Sequence, residues 1–270
     1  MVPCYFLGLS FIAPIVVSPK AHAANFTMRT GYYLGTGTTK TISGLGFQPS
    51  FVMIKASTTA GVAVFKTSSM AASTTAFFSA TADNAVTNIS FSADGFTVGT
   101  LANVNAVNVL YRWTAFNGSD CTATGYFCEG TYTGTGVAGR AITTGFQPNM
   151  VMVKRSTAVA AHFRTTSMAA NRTEFFTSTA ADTAGNYIAS LSATGFTVGN
   201  TDNTNTATYY YVAFRSGAGS FAQGTYTGNA TSRSITGLGF QPDLVFVKNS
   251  TSATAKIAVP LCQVIGTSET

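Results

Sequence analysis

Three copies of one pattern govern what this chain can fold into. Gly-Phe-Gln-Pro recurs at Gly46 to Pro49, Gly145 to Pro148 and Gly239 to Pro242. A Gly-x-Tyr-x-Gly segment precedes each copy, centred on Tyr33, Tyr132 and Tyr226. An apolar run ending in lysine follows each: Phe51-Val-Met-Ile-Lys55, Met150-Val-Met-Val-Lys154 and Leu244-Val-Phe-Val-Lys248. The first two copies stay in step through Phe65 to Met70 and Phe163 to Met168, then Gly95 to Gly99 and Gly195 to Gly199. They close at Ala115-Phe116 and Ala213-Phe214. A spacing of roughly 95 to 100 residues makes each copy a domain and not a solenoid rung.

Each copy reads as a series of short strands. The lysine-terminated run follows a turn marked by Gly and Pro and suits a central strand covered on both faces. The closing segment alternates: Val107, Val109, Tyr111, Trp113 and Ala115 share one face, Asn108, Arg112 and Thr114 the other. Its counterpart puts Ala207, Tyr209, Tyr211 and Ala213 on the matching face. Alternation with period two implies one buried and one wetter side. Turn clusters recur about every ten residues with no sustained helical period, which predicts about eight strands per copy. The expected fold is all-β: tandem antiparallel β-sandwiches, jelly-roll-like, two complete and one partial.

Composition supports strands over helices, with 21 Phe and only 9% charged residues. The formal charge of +6 comes from scarce acids, not clustered bases; no Lys/Arg run exceeds Lys154-Arg155. That argues against a nucleic-acid partner. A thin positive field suits weak contact with anionic surfaces such as polysaccharide.

The apolar run from Tyr5 to Val17, followed by Ala21-His22-Ala23, reads as a secretory signal peptide over residues 1–23. No Lys or Arg precedes the run, and an uncleaved anchor is the alternative. Cleavage leaves no membrane span, and the product is expected outside the cell or on its surface. The remaining divisions are a repeat over 24–117, a linker over 118–128, a second repeat over 129–216 and a partial third over 217–270. Cys121 and Cys128 can close a loop in the linker in an oxidising compartment, the alternative being two free thiols; Cys262 is left over.

The third copy follows the pattern to Lys248 and then diverges through Pro260 and Cys262. Two explanations stand: a frameshift or fragmentary reading frame, or an incomplete fold whose open edge pairs with other copies of the chain.

The titratable groups speak against catalysis. After the signal the only histidine is His162, where the first copy has Val64. A lone strand histidine reads as a surface or packing residue. The acids sit mostly in expected turns and differ between copies: Asp94 faces Thr194 and Glu174 faces Thr75. A glycosidase needs a close carboxylate pair. The stretch Asn200 to Asn205 is rich in oxygen but lacks the charge of a calcium loop. No cofactor, metal or catalytic residue is therefore assigned. What the copies share is Tyr33, Tyr132 and Tyr226, then Gln48, Gln147 and Gln241, then Lys55, Lys154 and Lys248, with Lys66 and Arg164. Tyrosines beside these glutamines can form a carbohydrate platform; the plainer reading is that they build strands and turns.

The order Gly-x-Tyr-x-Gly, Gly-Phe-Gln-Pro, Gly-Phe-Thr-Val-Gly and Tyr-x-Val-Ala-Phe resembles an uncharacterised repeat family of phage tail-associated and large secreted bacterial proteins. The likeness runs from Tyr32 to Lys248 and carries no catalytic residues. It implies a β-sandwich module displayed outside the cell or on a virion. The leading expectation is a non-enzymatic extracellular structural or adhesion protein. A lectin-like carbohydrate-binding module is the first alternative and a polysaccharide hydrolase fragment the second.

Overall fold

A computed structural model describes residues 26–86, 88–177, 181–217, 219–250 and 255–258. The expected signal peptide over 1–23 and Cys262 lie outside them. The first unit has eight strands: β1 (Thr27–Leu34), β2 (Lys40–Ser43), β3 (Phe51–Ala56), β4 (Val64–Thr67), β5 (Ala76–Phe77), β6 (Ile89–Ser92), β7 (Gly95–Val98) and β8 (Leu110–Asn117). A single helical turn, α1 (Ala102–Asn105), joins β7 to β8. The large sheet runs β1-β8-β3-β4-β5 and the small one β2-β7-β6, every pair antiparallel. First strand beside last and second beside seventh is the nested pairing of a jelly roll.

The second unit repeats the plan with β9 (Phe127–Thr133), β10 (Arg140–Thr143), β11 (Met150–Arg155), β12 (His162–Thr165), β13 (Thr173–Phe175), β14 (Ala181–Asp182), β15 (Ile188–Ser192), β16 (Gly195–Val198) and β17 (Thr208–Phe214). Its large sheet is β14-β13-β12-β11-β17-β9 and its small one β10-β16-β15. Among the described residues the third unit contributes one hairpin, β18 (Val245–Lys248) with β19 (Ala255–Ala258). The segment around Tyr226 matches β1 and β9, which pair with β8 and β17. No described residue of the third unit takes that pairing role, and residues 222–244 form no ladder. No helix among the described residues is long and apolar enough to cross a membrane.

The shared turn explains why the copies fold alike. Gly46, Gly145 and Gly239 all sit at positive φ, near 80°, where a side chain is strained. Phe47 and Phe146 then turn inward with Pro49 and Pro148, while Gln48 and Gln147 stay in solvent. The proline ends the turn and β3 or β11 begins two residues later.

Each complete unit has its own core between its two sheets. Val52, Ile54, Tyr33, Tyr111, Trp113 and Phe96 fill the first; Val151, Val153, Tyr132, Tyr209, Tyr211 and Phe196 fill the second. A third core lies between the units. Phe51, Phe65, Phe78 and Phe116 of the first large sheet meet Phe127, Met152, Phe163, Phe176 and Phe214 of the second. Leu244, just before β18, and Phe246 within it lean on the same cluster.

This corrects the expected wet face of the closing strand. Thr114 and Phe116 are buried at 2% and 5% exposure, because the neighbouring unit covers that side. Val107, assigned to the inner face, lies before β8 begins and is exposed. The lysine-terminated strand is covered on both faces, by its own small sheet on one and by the next unit on the other.

The joint between units is directional. Glu129 on β9 accepts hydrogen bonds from the Ser68 and Ser69 hydroxyls, each 2.5 Å away. Gln223, its counterpart in the third unit, donates through Nε2 to Thr166 Oγ1 at 2.7 Å. The Phe116–Phe127 contact at 5.7 Å recurs as Phe214–Phe221 at 5.3 Å. The same surface of one unit meets the same surface of the next at both steps, a head-to-tail and not a two-fold relation.

Candidate functional site

The positions shared by all copies are occupied with holding the fold. Tyr33 and Tyr132 are 6% and 8% exposed. Their hydroxyls donate to the carbonyls of Val104 at 2.5 Å and Asp202 at 2.8 Å. Their rings stack on Tyr111 at 5.3 Å and Tyr209 at 4.8 Å. Burial pushes both phenols up from their usual range. A sugar ring cannot reach them, which removes Tyr33 and Tyr132 from the expected platform.

The sequence does hold a signal for this. Gly31 and Gly130 lie two residues earlier on the same strand face. A Cβ there would fall 2.5 Å from the Trp113 ring and 2.6 Å from the Tyr211 hydroxyl. Glycine on the tyrosine's own face marks the covered side. Gln48, Gln147 and Gln241 are exposed, but without the first two tyrosines beside them. Tyr226 alone stays half exposed, with the Arg233 guanidinium 6.0 Å above its ring. The two line an open depression of about 290 Å³ with Asn229 and Ile235.

The shared cations satisfy carbonyls. Lys66 is buried and donates to Ala71, Ala72 and Thr74 at 2.7 to 3.1 Å. Arg164 does the same for Arg172 and Ala169. Lys55, Lys154 and Lys248 each fold onto the carbonyl of the following residue, Ala56, Arg155 or Asn249. Lys154 ends its strand, a place where a lysine ordinarily reaches water, yet it is fully buried.

His162 is not a surface residue. It has no exposed area, and its Nε2 lies 2.6 Å from Asp202 Oδ2, itself fully buried. Nδ1 is 3.0 Å from the Ala160 carbonyl, so it donates there. The Nε2 contact with the carboxylate is the ring's second hydrogen bond. Phe175 and Tyr187 close around the ring at 5.3 and 4.9 Å.

In the first unit the matching places hold Val64 and Val104, both fully buried. The match is structural: Val64 faces Phe77 as His162 faces Phe175. The Val104 and Asp202 carbonyls likewise receive the two tyrosines. An acid–base group needs hydrogen-bond reach to a substrate atom; this pair is sealed inside an apolar core.

The oxygen-rich stretch from Asn200 to Asn205 is a tight 3-10 turn over Thr201–Asn203. Its two buried polar side chains, Asp202 and Asn203, are turned into the unit. The Asn203 side chain accepts from Thr135 N–H and donates to Thr135 Oγ1 and the Val137 carbonyl. Asn105 latches the first unit in the same way, to Thr36 N–H and the Gly99 carbonyl.

The acids, read mostly as turn residues, include buried strand residues. Glu129 lies in β9 at the joint, and Glu174 lies in β13 against Arg172 at 2.5 Å, in register with Ala76 of the first unit and not with Thr75 as expected. Asp83 crosses to the second unit: its N–H donates to the Ser156 carbonyl at 2.9 Å, and its Oδ1 is 3.9 Å from Lys154 Nζ. Burial pushes the Asp83 carboxyl up to about 6, against the opposing pull of the Tyr210 hydroxyl and Lys154. Burial pulls the Lys154 ammonium down to about 8, against the pull of Asp83.

The sign of the resulting pH dependence follows from proton counting. Between about pH 4 and 6 the native Asp83 holds a proton that the unfolded chain has released, so stability falls as pH rises. Between about pH 8 and 10.5 the unfolded lysine holds a proton that native Lys154 has lost, so stability rises again. Urea unfolding across this range should show a minimum at pH 6 to 8 that is shallower in an Asp83→Asn/Lys154→Met double variant. An unchanged profile in the double variant would contradict the assignment.

Cys121 and Cys128 form a disulfide with Cα atoms 4.9 Å apart. It ties the linker loop to the start of β9, a loop short enough that closure is worth roughly 2 to 3 kcal/mol. Arg215 clamps the same loop from the far end of β17, donating to Ala123 and Thr124 and lying 4.2 Å over the Tyr126 ring.

Comparison with known proteins places this arrangement. No curated protein and no solved structure matches the chain. A family model described as Domain of unknown function (DUF7483) matches residues 23–125 and, again, residues 122–222. The two matches follow the two complete sandwiches, and the chain belongs to the DUF7483 family, carrying its domain twice in succession.

Proposed function

We propose that the chain is a non-enzymatic structural or adhesion protein working outside the cell, its repeats forming a stiff spacer with contact surfaces. The observation that carries this reading is the joint. Successive units share one aromatic core and repeat the same polar clip, Ser68 and Ser69 to Glu129 and then Thr166 to Gln223. Repeated residues go into that continuity, and the groups that vary between copies, His162 and Asp202, are consumed in a sealed pair. The disulfide suits an oxidising compartment. The likeness to repeats of phage tail-associated and secreted bacterial proteins points the same way.

Protease shaving and antibody labelling of intact cells or virions tests the location; protection of the chain until lysis would refute display outside. Turnover of any polysaccharide, abolished by one Asp or Glu substitution in a folded variant, would refute the absence of catalysis. Glycan contact has one supporting observation, the half-exposed Tyr226 beneath Arg233. It predicts glycan-array binding that is lost in Tyr226→Ala and kept in Tyr33→Phe.

A further inference from the structure

Beyond the core between units, the end of the large sheet's outer face that carries the strand lysine is covered in the second unit and exposed in the first. In the second unit, one row across three strands holds Lys154, Tyr210 and Thr131, paired in register. The first unit's Asp83 segment lies on it, its carboxylate near Lys154 and Tyr210 and its N–H on the Ser156 carbonyl. Lys154 is 0% and Tyr210 6% exposed as a result.

The same row in the first unit is Lys55, Arg112 and Tyr32. Here Lys55 and Arg112 are partly exposed, Tyr32 is 46% exposed, and Leu34 beside it is 49% exposed. Thr131 and Thr133 stand at those last two places in the second unit. The Arg112 guanidinium makes no hydrogen bond or ion pair among the described residues. Ser57, the counterpart of Ser156, is exposed; its N–H is bonded to Leu110 as Ser156 is to Thr208, and its carbonyl accepts nothing among the described residues. Outside the described residues the sequence holds no aspartate, and its one acid is Glu269, next to the last residue.

We infer that this face of the first unit docks an extended, aspartate-bearing segment of another protein chain, in the way the second unit takes Asp83. The carboxylate sits between Lys55 and Arg112, the segment's N–H meets the Ser57 carbonyl, and its flanking side chains cover Tyr32 and Leu34. Two cations where the second unit has one make the bare face the more acid-seeking of the two, and a guanidinium takes a carboxylate through paired N–H bonds. Recognition of an acidic segment by clustered cations is a known mode of peptide capture. The inference concerns contact chemistry and does not depend on where the protein is displayed.

The probe is a capped peptide with the sequence of residues 79–86, titrated into the isotope-labelled full chain and followed by backbone amide shifts. Shifts are expected to cluster at Tyr32, Lys55, Ser57 and Arg112, with a Kd on the order of 1 mM or tighter. The Asp→Asn peptide, which leaves the protein untouched, should bind about tenfold more weakly, as should the Arg112→Gln chain. No shift by about 5 mM peptide, a Kd more than tenfold above the expected one, would overturn the inference. So would equal binding of the Asn peptide, or shifts at these residues with polygalacturonate but none with the peptide.

Discussion

Asp202→Val alone is expected to cost about 3 to 5 kcal/mol, because it strands a fully buried imidazole beside an apolar wall. His162→Val alone should cost a similar amount by leaving the carboxylate unpaired, with Oδ1 already lacking a hydrogen bond among the described residues. The double variant should recover most of that loss and lie within about 1 to 2 kcal/mol of the parent. The reason is in the molecule itself: the first unit carries Val64 and Val104 at the same two places and buries both completely. Valine is smaller than histidine, so a residual cavity beside Tyr187 and Phe175 sets the remaining cost. Urea unfolding of the three variants gives the coupling energy directly. A double variant as unstable as either single one would mean that the second unit needs the pair for its shape. A folded double variant that lost a measured hydrolytic activity would reopen the catalytic reading.

The local features of the fold were legible because they are written in short stretches. A positive-φ glycine, a buried phenylalanine and an inward proline fit within four residues, and three copies of that turn set the strand order. The cover on the outer face was not legible. Period-two alternation separates two faces of a strand but does not say what lies against each. In β8 the face that carries Arg112 and Thr114 reads as the wetter one because the sheet of the neighbouring unit is invisible locally, although Phe116 lies on it too. The 21 Phe were read as strand propensity; many of them build the core between units. His162 was seen to replace Val64, but its partner was hidden. The loop from Gly199 to Tyr209 is two residues shorter than that from Gly99 to Tyr111, so simple alignment does not set Asp202 against Val104. The tyrosine platform failed for a readable reason, since the flanking glycines share the ring's own face.

The core between units makes a further result expected: damage in the second unit should be felt in the first. Phe176 is 5% exposed and touches Phe78 of the first unit at 5.2 Å, Phe163 of its own at 4.8 Å and Phe246 of the third at 4.7 Å. Phe176→Ala should therefore cost about 3 to 5 kcal/mol through lost contacts and the cavity left behind. The chain has one tryptophan, Trp113, buried in the first unit's inner core against Phe96 at 5.4 Å. Its fluorescence reports on the first unit alone. If the two sandwiches unfold together, Phe176→Ala lowers the urea midpoint read by Trp113 by about 1 to 2 M. Phe196→Ala is the stricter test, because Phe196 lies in the second unit's inner core, a cluster that holds no first-unit residue among the described ones. Coupled units predict that it too shifts the Trp113 transition by a comparable amount. Independent domains predict an unmoved Trp113 transition for Phe196→Ala and a second, earlier transition in far-UV circular dichroism. That outcome would reduce the shared core to a contact between separately stable sandwiches and remove the stiffness on which the spacer reading rests.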